Sequence, residues 1–154
     1  MVVLRGIPSV LSPDLLYALA KMGHGDELVL ADANFPSSSI SACGPTEIRA
    51  DGLGIPQLLE AILKLLPLDT YVPCPAAVMD LVDGDKERRL SVPVWETYTQ
   101  LLGSAGCQSP LEKVERFAFY ERAKKAYAVV ATGETALYGN LILKKGVIPA
   151  ELLQ

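Results

Sequence analysis

A chain of 154 residues, half of them hydrophobic and with a formal charge of −4, can bury the core of one domain of ordinary size, spanning residues 1–154. No apolar run approaches the ~18 residues needed to cross a bilayer, and the isolated basic pairs Lys124–Lys125 and Lys144–Lys145 do not make the stripe that nucleic acid requires. Cys43, Cys74 and Cys107 are odd in number and form no C-x-x-C arrangement, and Met1–Pro8 lacks the apolar core of a secretory signal, so a soluble cytoplasmic chain with reduced thiols is expected.

Ser12-Pro13-Asp14 starts a helix, with Ser12 as N-cap, Pro13 in the first turn and Asp14 facing the positive end of the dipole. Leu15, Leu16, Leu19 and Met22 recur at helical spacing until Gly23 closes the element. The only histidine, His24, follows between Gly23 and Gly25. Glu27–Ala31 is an apolar run of strand length that leaves Asp32 and Asn34 at its far edge, where α/β folds place their sites. Phe35–Pro45 is serine-rich and uncharged, which suits a loop covering a pocket or a neighbouring subunit.

Glu47–Ala50 is a short strand ending in the turn pair Asp51-Gly52. Ile55–Leu66 opens with Pro56 and is apolar on nearly every side, so this helix should be buried against the sheet or another subunit. Pro67 stops it, and Asp69-Thr70-Tyr71 follows. Ala76–Val82, with Met79 in its middle, is expected to be a strand, Asp83-Gly84-Asp85 a turn, and Lys86–Arg89 a solvated charged face. Pro93–Leu102 is expected to be a helix ended by Gly103–Gly106.

In the last third, Lys113–Phe117 is expected as a strand and Tyr120–Lys125 as a short helix in which Glu121 pairs with Lys125. Tyr127–Thr132 and Gly139–Lys145 complete the strands. Strands and helices alternating at these lengths predict a three-layer α/β domain with a mostly parallel central sheet.

Several chemistries lack their motif. One histidine per chain cannot make a two-histidine metal site without a second subunit, and no cysteine cluster replaces it. There is no P-loop, no dinucleotide fingerprint and no G-x-S-x-G elbow. What remains is a set of polar groups at the edges of apolar runs: His24, Asp32, Asn34, Asp69, Arg116, Tyr120, Tyr138 and Asn140. Each also fits a structural role. The aspartates could cap turns, Arg116 could be a surface charge, the tyrosines core rings, and Asn140 a left-handed turn residue beside Gly139. Together they are the donors and acceptors that a polyhydroxylated ligand needs. Such a set has no nucleophile and expects no cofactor and no metal, but it suits proton transfer by an imidazole whose ordinary pKa of about 6.5 lies near working pH.

The motifs also stand in a familiar order. Gly23-His24-Gly25-Asp26, Asp32 through Pro36, Ile48–Leu53, Leu68–Tyr71, Arg116–Ala123, Thr132-Gly133-Glu134 and Tyr138-Gly139-Asn140 leading into Leu143–Val147 resemble the ribose pyranase/fucose mutarotase family, and within it the branch that acts on fucose. The resemblance implies cofactor-independent interconversion of the α and β anomers of L-fucose by a homo-oligomer whose site lies near a subunit interface. It implies His24 as the acid/base group, with Tyr120 or Asp32 as the second group. Asp32, Asp69, Met79, Arg116, Tyr120, Tyr138 and Asn140 would bind the sugar. Pyranose–furanose interconversion of ribose and a non-catalytic sugar-binding module stand as the alternatives.

Overall fold

Strand β1 (Glu27–Ala31) alternates Leu28 and Leu30 toward one apolar layer with Val29 and Ala31 toward another. In the computed structural model, which describes residues 3–153, these are the two faces of a six-stranded sheet covered by helices on both sides. On one side lie α1 (Pro13–Lys21), α3 (Ile55–Leu63) and α5 (Pro93–Ser104), and on the other α2 (Ser37–Ser41) and α6 (Arg116–Lys124). Each fully buried aliphatic side chain in such layers contributes about 1.5–3 kcal/mol relative to exposure. The remaining strands are β2 (Thr46–Ala50), β3 (Ala76–Met79), β4 (Glu112–Val114), β5 (Ala128–Thr132) and β6 (Leu141–Lys144), and α4 (Asp83–Glu87) is a short helix after β3.

The sheet order is β2-β5-β1-β6-β3-β4. β1 pairs in parallel with β5, β5 with β2, and β3 with β4, while β6 is antiparallel to both β1 and β3. Five strands therefore run one way and β6 alone opposes them, so the three-layer, mostly parallel expectation holds with one reversed strand near the middle.

That reversal positions the site. Leu30 pairs with Leu141, so Tyr138-Gly139-Asn140 enters β6 beside Asp32 as it leaves β1. At the other end Glu27 pairs with Lys144, and the Gly25 N–H donates to the Lys145 carbonyl at 2.8 Å. The Lys145 ammonium donates to the carbonyls of Leu19 (2.8 Å) and Met22 (2.5 Å), satisfying the C-terminal end of α1.

Several boundaries differ from expectation. The serine-rich loop contains α2, and the helix after Pro56 ends at Leu63, with one further turn closed by the Leu66 N–H on the Ile62 carbonyl. β3 stops at Met79, after which the Asp80 carboxylate accepts the Leu81 N–H and turns the chain. The expected strand at Lys113–Phe117 shifts to Glu112–Val114, because Glu115 caps α6 by accepting the Ala118 N–H at 2.9 Å. Arg116 thus begins a helix rather than ending a strand. Glu121 pairs with Lys124 at 2.8 Å, not with Lys125. No helix among the described residues is long and apolar enough to cross a membrane.

Candidate active site

At the C-terminal edge of β1 the chain gathers most of the expected polar groups. Asp32 and Asn140 are both buried, and the Asp32 N–H donates to Asn140 Oδ1 at 2.7 Å. Asp32 Oδ1 accepts the Asn34 N–H at 3.0 Å. Burial pushes the Asp32 carboxyl above its usual range, against the opposing pull of the Asn34, Gly139 and Phe35 N–H groups. Tyr138 stands beside it in a left-handed conformation, φ 58°, which an L side chain adopts only when its surroundings hold it there. Two polar tips on α5 do this: Trp95 Nε1 donates to the Tyr138 carbonyl at 2.9 Å, and the Tyr98 hydroxyl to the Gly139 carbonyl at 2.7 Å. A Cβ at Gly139 would crowd the turn, 3.0 Å from the Ala136 carbonyl.

α6 supplies Arg116 and Tyr120, four residues apart on one face, with Arg116 Nε donating to the Tyr120 hydroxyl at 3.1 Å. That bond holds the guanidinium above its ordinary pKa. Phe35 meets the Tyr120 ring edge-on, centroids 5.7 Å apart. Met79 closes the floor from the end of β3. These groups line a cavity of about 340 Å³, within the range of small-molecule sites, with Val82 and Leu137 on its rim.

His24 and Asp69 lie elsewhere. They occupy the opposite edge of the sheet, beside the start of β1 and the end of β6. The turn carrying His24 is fixed by Gly25 at φ 88°, by the Gly23 N–H donating to Asp26 Oδ2 at 2.7 Å, and by the bond from Gly25 to Lys145. His24 Nε2 lies 3.0 Å from Asp69 Oδ1, which also accepts the Tyr71 N–H at 3.0 Å. The Tyr71 N–H first, and then the imidazole, hold the buried Asp69 carboxyl below its usual range. With Nε2 turned to a carboxylate and the ring 45% exposed, Nδ1 is the nitrogen left facing outward. Gly146 lets the Leu68–Asp69 backbone approach: a Cβ there would lie 2.5 Å from the Leu68 carbonyl. A larger cavity of about 460 Å³ adjoins this edge, but of the expected residues it contains only Asp69.

Within one chain, then, Asp32, Met79, Arg116, Tyr120, Tyr138 and Asn140 come together, and His24 with Asp69 does not join them. Asp69, expected to bind the sugar, uses Oδ1 for both His24 and Tyr71 in this chain. Sequence reasoning missed four contributors. Asp85, read as part of a turn, faces the cavity and bonds Tyr138. Tyr71 orients Asp69, and its ring lies 5.3 Å from the imidazole. Trp95 and Tyr98 lie three residues apart in the helix expected over Pro93–Leu102, and nothing in that spacing points to the two carbonyls they hold. Among the described residues no cluster of three His, Cys, Asp or Glu side chains could hold a metal ion.

The family model described as the RbsD / FucU transport protein family matches residues 5–148. The chain is 74% identical to the fucose mutarotase of Homo sapiens over 148 residues, 96% of this chain and 96% of that protein. It is 52% identical to an L-fucose mutarotase of Actinobacillus pleuropneumoniae over 149 residues, covering 96% and 99% of the two chains. Among solved structures, the fucose mutarotase of Streptococcus pneumoniae in complex with L-fucose superposes with a TM-score of 0.87 at 51% identity, over 95% of this chain and all (100%) of that one.

Proposed function

The chain belongs to the RbsD/FucU family, and from that premise we propose that it is a cofactor-independent isomerase interconverting the α and β anomers of L-fucose. The observation that carries this reading is the cavity of about 340 Å³ lined by paired donors and acceptors, with the one imidazole of the chain presented outward at the far edge of the sheet. A sugar bound in the cavity of one copy meets His24 only if a second copy brings it. The active form is therefore a homo-oligomer in which His24 and Asp69 of one subunit close the cavity of another. The exposed apolar rims at both edges, Tyr71 with Val147 and Ile148 at one and Val82, Phe117 and Leu137 at the other, support such a contact. The free thiols of Cys43, Cys74 and Cys107 fit a cytoplasmic protein.

The chemistry is ring opening and reclosure. His24 Nδ1, with Nε2 anchored on Asp69, delivers a proton to the ring oxygen O5. Asp32 takes the proton of the anomeric hydroxyl, directly or through the Tyr120 phenol, as the C1–O5 bond breaks and C1 becomes the aldehyde. Burial favours the protonated form of Asp32, which makes its carboxylate a better base than an exposed one. Rotation about C1–C2 presents the other carbonyl face, and the same proton transfers in reverse close the opposite anomer. Assistance of this kind contributes about 10²–10⁴-fold.

Saturation-transfer NMR on the anomeric protons of L-fucose measures the exchange directly. Accelerated exchange with the wild type, reduced toward the solvent rate by His24→Ala, is the expected result. Binding of fucose without acceleration would instead identify a sugar-binding module.

A further inference from the structure

The Tyr138 hydroxyl donates to Asp85 Oδ2 at 2.5 Å, and the Val82 N–H donates to the same phenol oxygen at 3.3 Å. Arg88 pairs with the other carboxylate oxygen of Asp85. A phenol has one proton and two lone pairs. The Tyr138 proton is thus committed to Asp85 and one lone pair to Val82, which leaves one lone pair of this cavity-lining residue for a ligand. Tyr120 is wired the other way, because its oxygen accepts from Arg116 Nε at 3.1 Å and its own proton stays available. A guanidinium has no acceptor and an ionised carboxylate no donor, so neither arrangement can reverse.

We propose that Asp85 is a specificity-determining positioning residue of the sugar site: by holding the Tyr138 proton it makes that phenol an acceptor for one substrate hydroxyl, opposite in sense to the donor Tyr120. The role rests on the reading of this cavity as the fucose site. Tyr138 and Arg88 hold the Asp85 carboxyl below its usual range, so it stays ionised and acceptor-only near neutral pH. Burial and the adjacent carboxylate push the Tyr138 phenol upward, which keeps its proton in place. The same bond tethers α4, otherwise solvent-exposed along most of its length, to the cavity rim. A ligand lacking a donor at the matching position leaves the Tyr138 lone pair unpaired, and Asp85 would thereby reject it.

The test uses L-fucose and its 2-, 3- and 4-deoxyfluoro analogues, in which fluorine removes the donor while keeping size. One analogue should bind the wild type about three- to tenfold more weakly than fucose, the worth of one ordinary hydrogen bond. Asp85→Ala and Tyr138→Phe should each abolish that discrimination for the same analogue, and the double variant should add nothing further. Amide hydrogen exchange without sugar supplies the second readout: Val82 should exchange faster in both single variants. Unchanged discrimination in Asp85→Ala, or unchanged Val82 exchange, overturns the proposal. A wild type that binds no fucose overturns the sugar reading and this role with it, and Val82 exchange then still reports whether the tether exists.

Discussion

Two variants broken at opposite edges of the sheet should complement each other. Along β1 alone, Glu27 and Ala31 are four residues apart, about 13 Å at roughly 3.3 Å per residue, and His24 and Asp32 lie beyond them at either end. No side-chain motion closes that gap to the ~3 Å of a proton transfer, and the proposed mechanism therefore requires two copies at each working site. His24→Ala removes the imidazole from one half-site, and Asp32→Asn removes the carboxylate from the other while leaving the fold intact. Each variant alone should lose about 10²–10⁴-fold of the accelerated anomer exchange. Dissociated, mixed in equal amounts and reassembled at random, about one site in four pairs an intact His24 edge with an intact cavity edge, whether the contact is head-to-tail or two-fold. The mixture should then recover about a quarter of wild-type activity in the saturation-transfer assay. A mixture no more active than the sum of its parents would refute the intersubunit site.

Asp69→Asn should lower the exchange rate at least about tenfold by releasing the imidazole from its orienting carboxylate, with fucose affinity less affected, as separate binding and exchange measurements would reveal. In urea unfolding, Asp69, Asp85 and Glu115 have folded pKa values held down, so their stabilisation is complete above an unfolded value of about 4 and is lost as pH falls through the folded values. Asp32 has the opposite sign: its folded value is raised, so its ionisation costs stability as pH climbs past about 4, and Asp32→Asn should be more stable than wild type at neutral pH. Tyr98→Phe strips the Gly139 carbonyl of its buried donor, and should cost about 1–3 kcal/mol in the same titration and weaken fucose binding by loosening Tyr138. Gly146→Ala forces a Cβ against the Leu68 carbonyl and Asp69 Cα, and should cost about 1–3 kcal/mol while detaching Asp69 from His24 in the NMR spectrum of the imidazole.

The elements themselves were legible because their causes are local. Ser12 does cap α1 by accepting the Leu15 N–H, and the apolar run Glu27–Ala31 is the strand its length implied. The polar groups at the edges of the apolar runs were legible too, although each of them also fitted a turn, cap or core role. Arg116 was misplaced onto a strand because Phe117 and Phe119 suit either element, and the deciding signal was the Glu115 cap, one carboxylate bonding an N–H three residues on. Asp85 stayed hidden in a turn, since its partner Tyr138 lies 53 residues away. Strand direction decided the rest. Periodicity reads the same for a strand running up or down, and only the pairing of β6 against β1 and β3, between residues more than a hundred positions apart in the first case, sends Tyr138 to one edge and Lys145 to the other. The sequence by itself therefore determined which groups are available for sugar chemistry, through local propensity and pattern. Which of them share one cavity, and which lie at the opposite edge of the sheet, was decided only by non-local pairing in the tertiary structure.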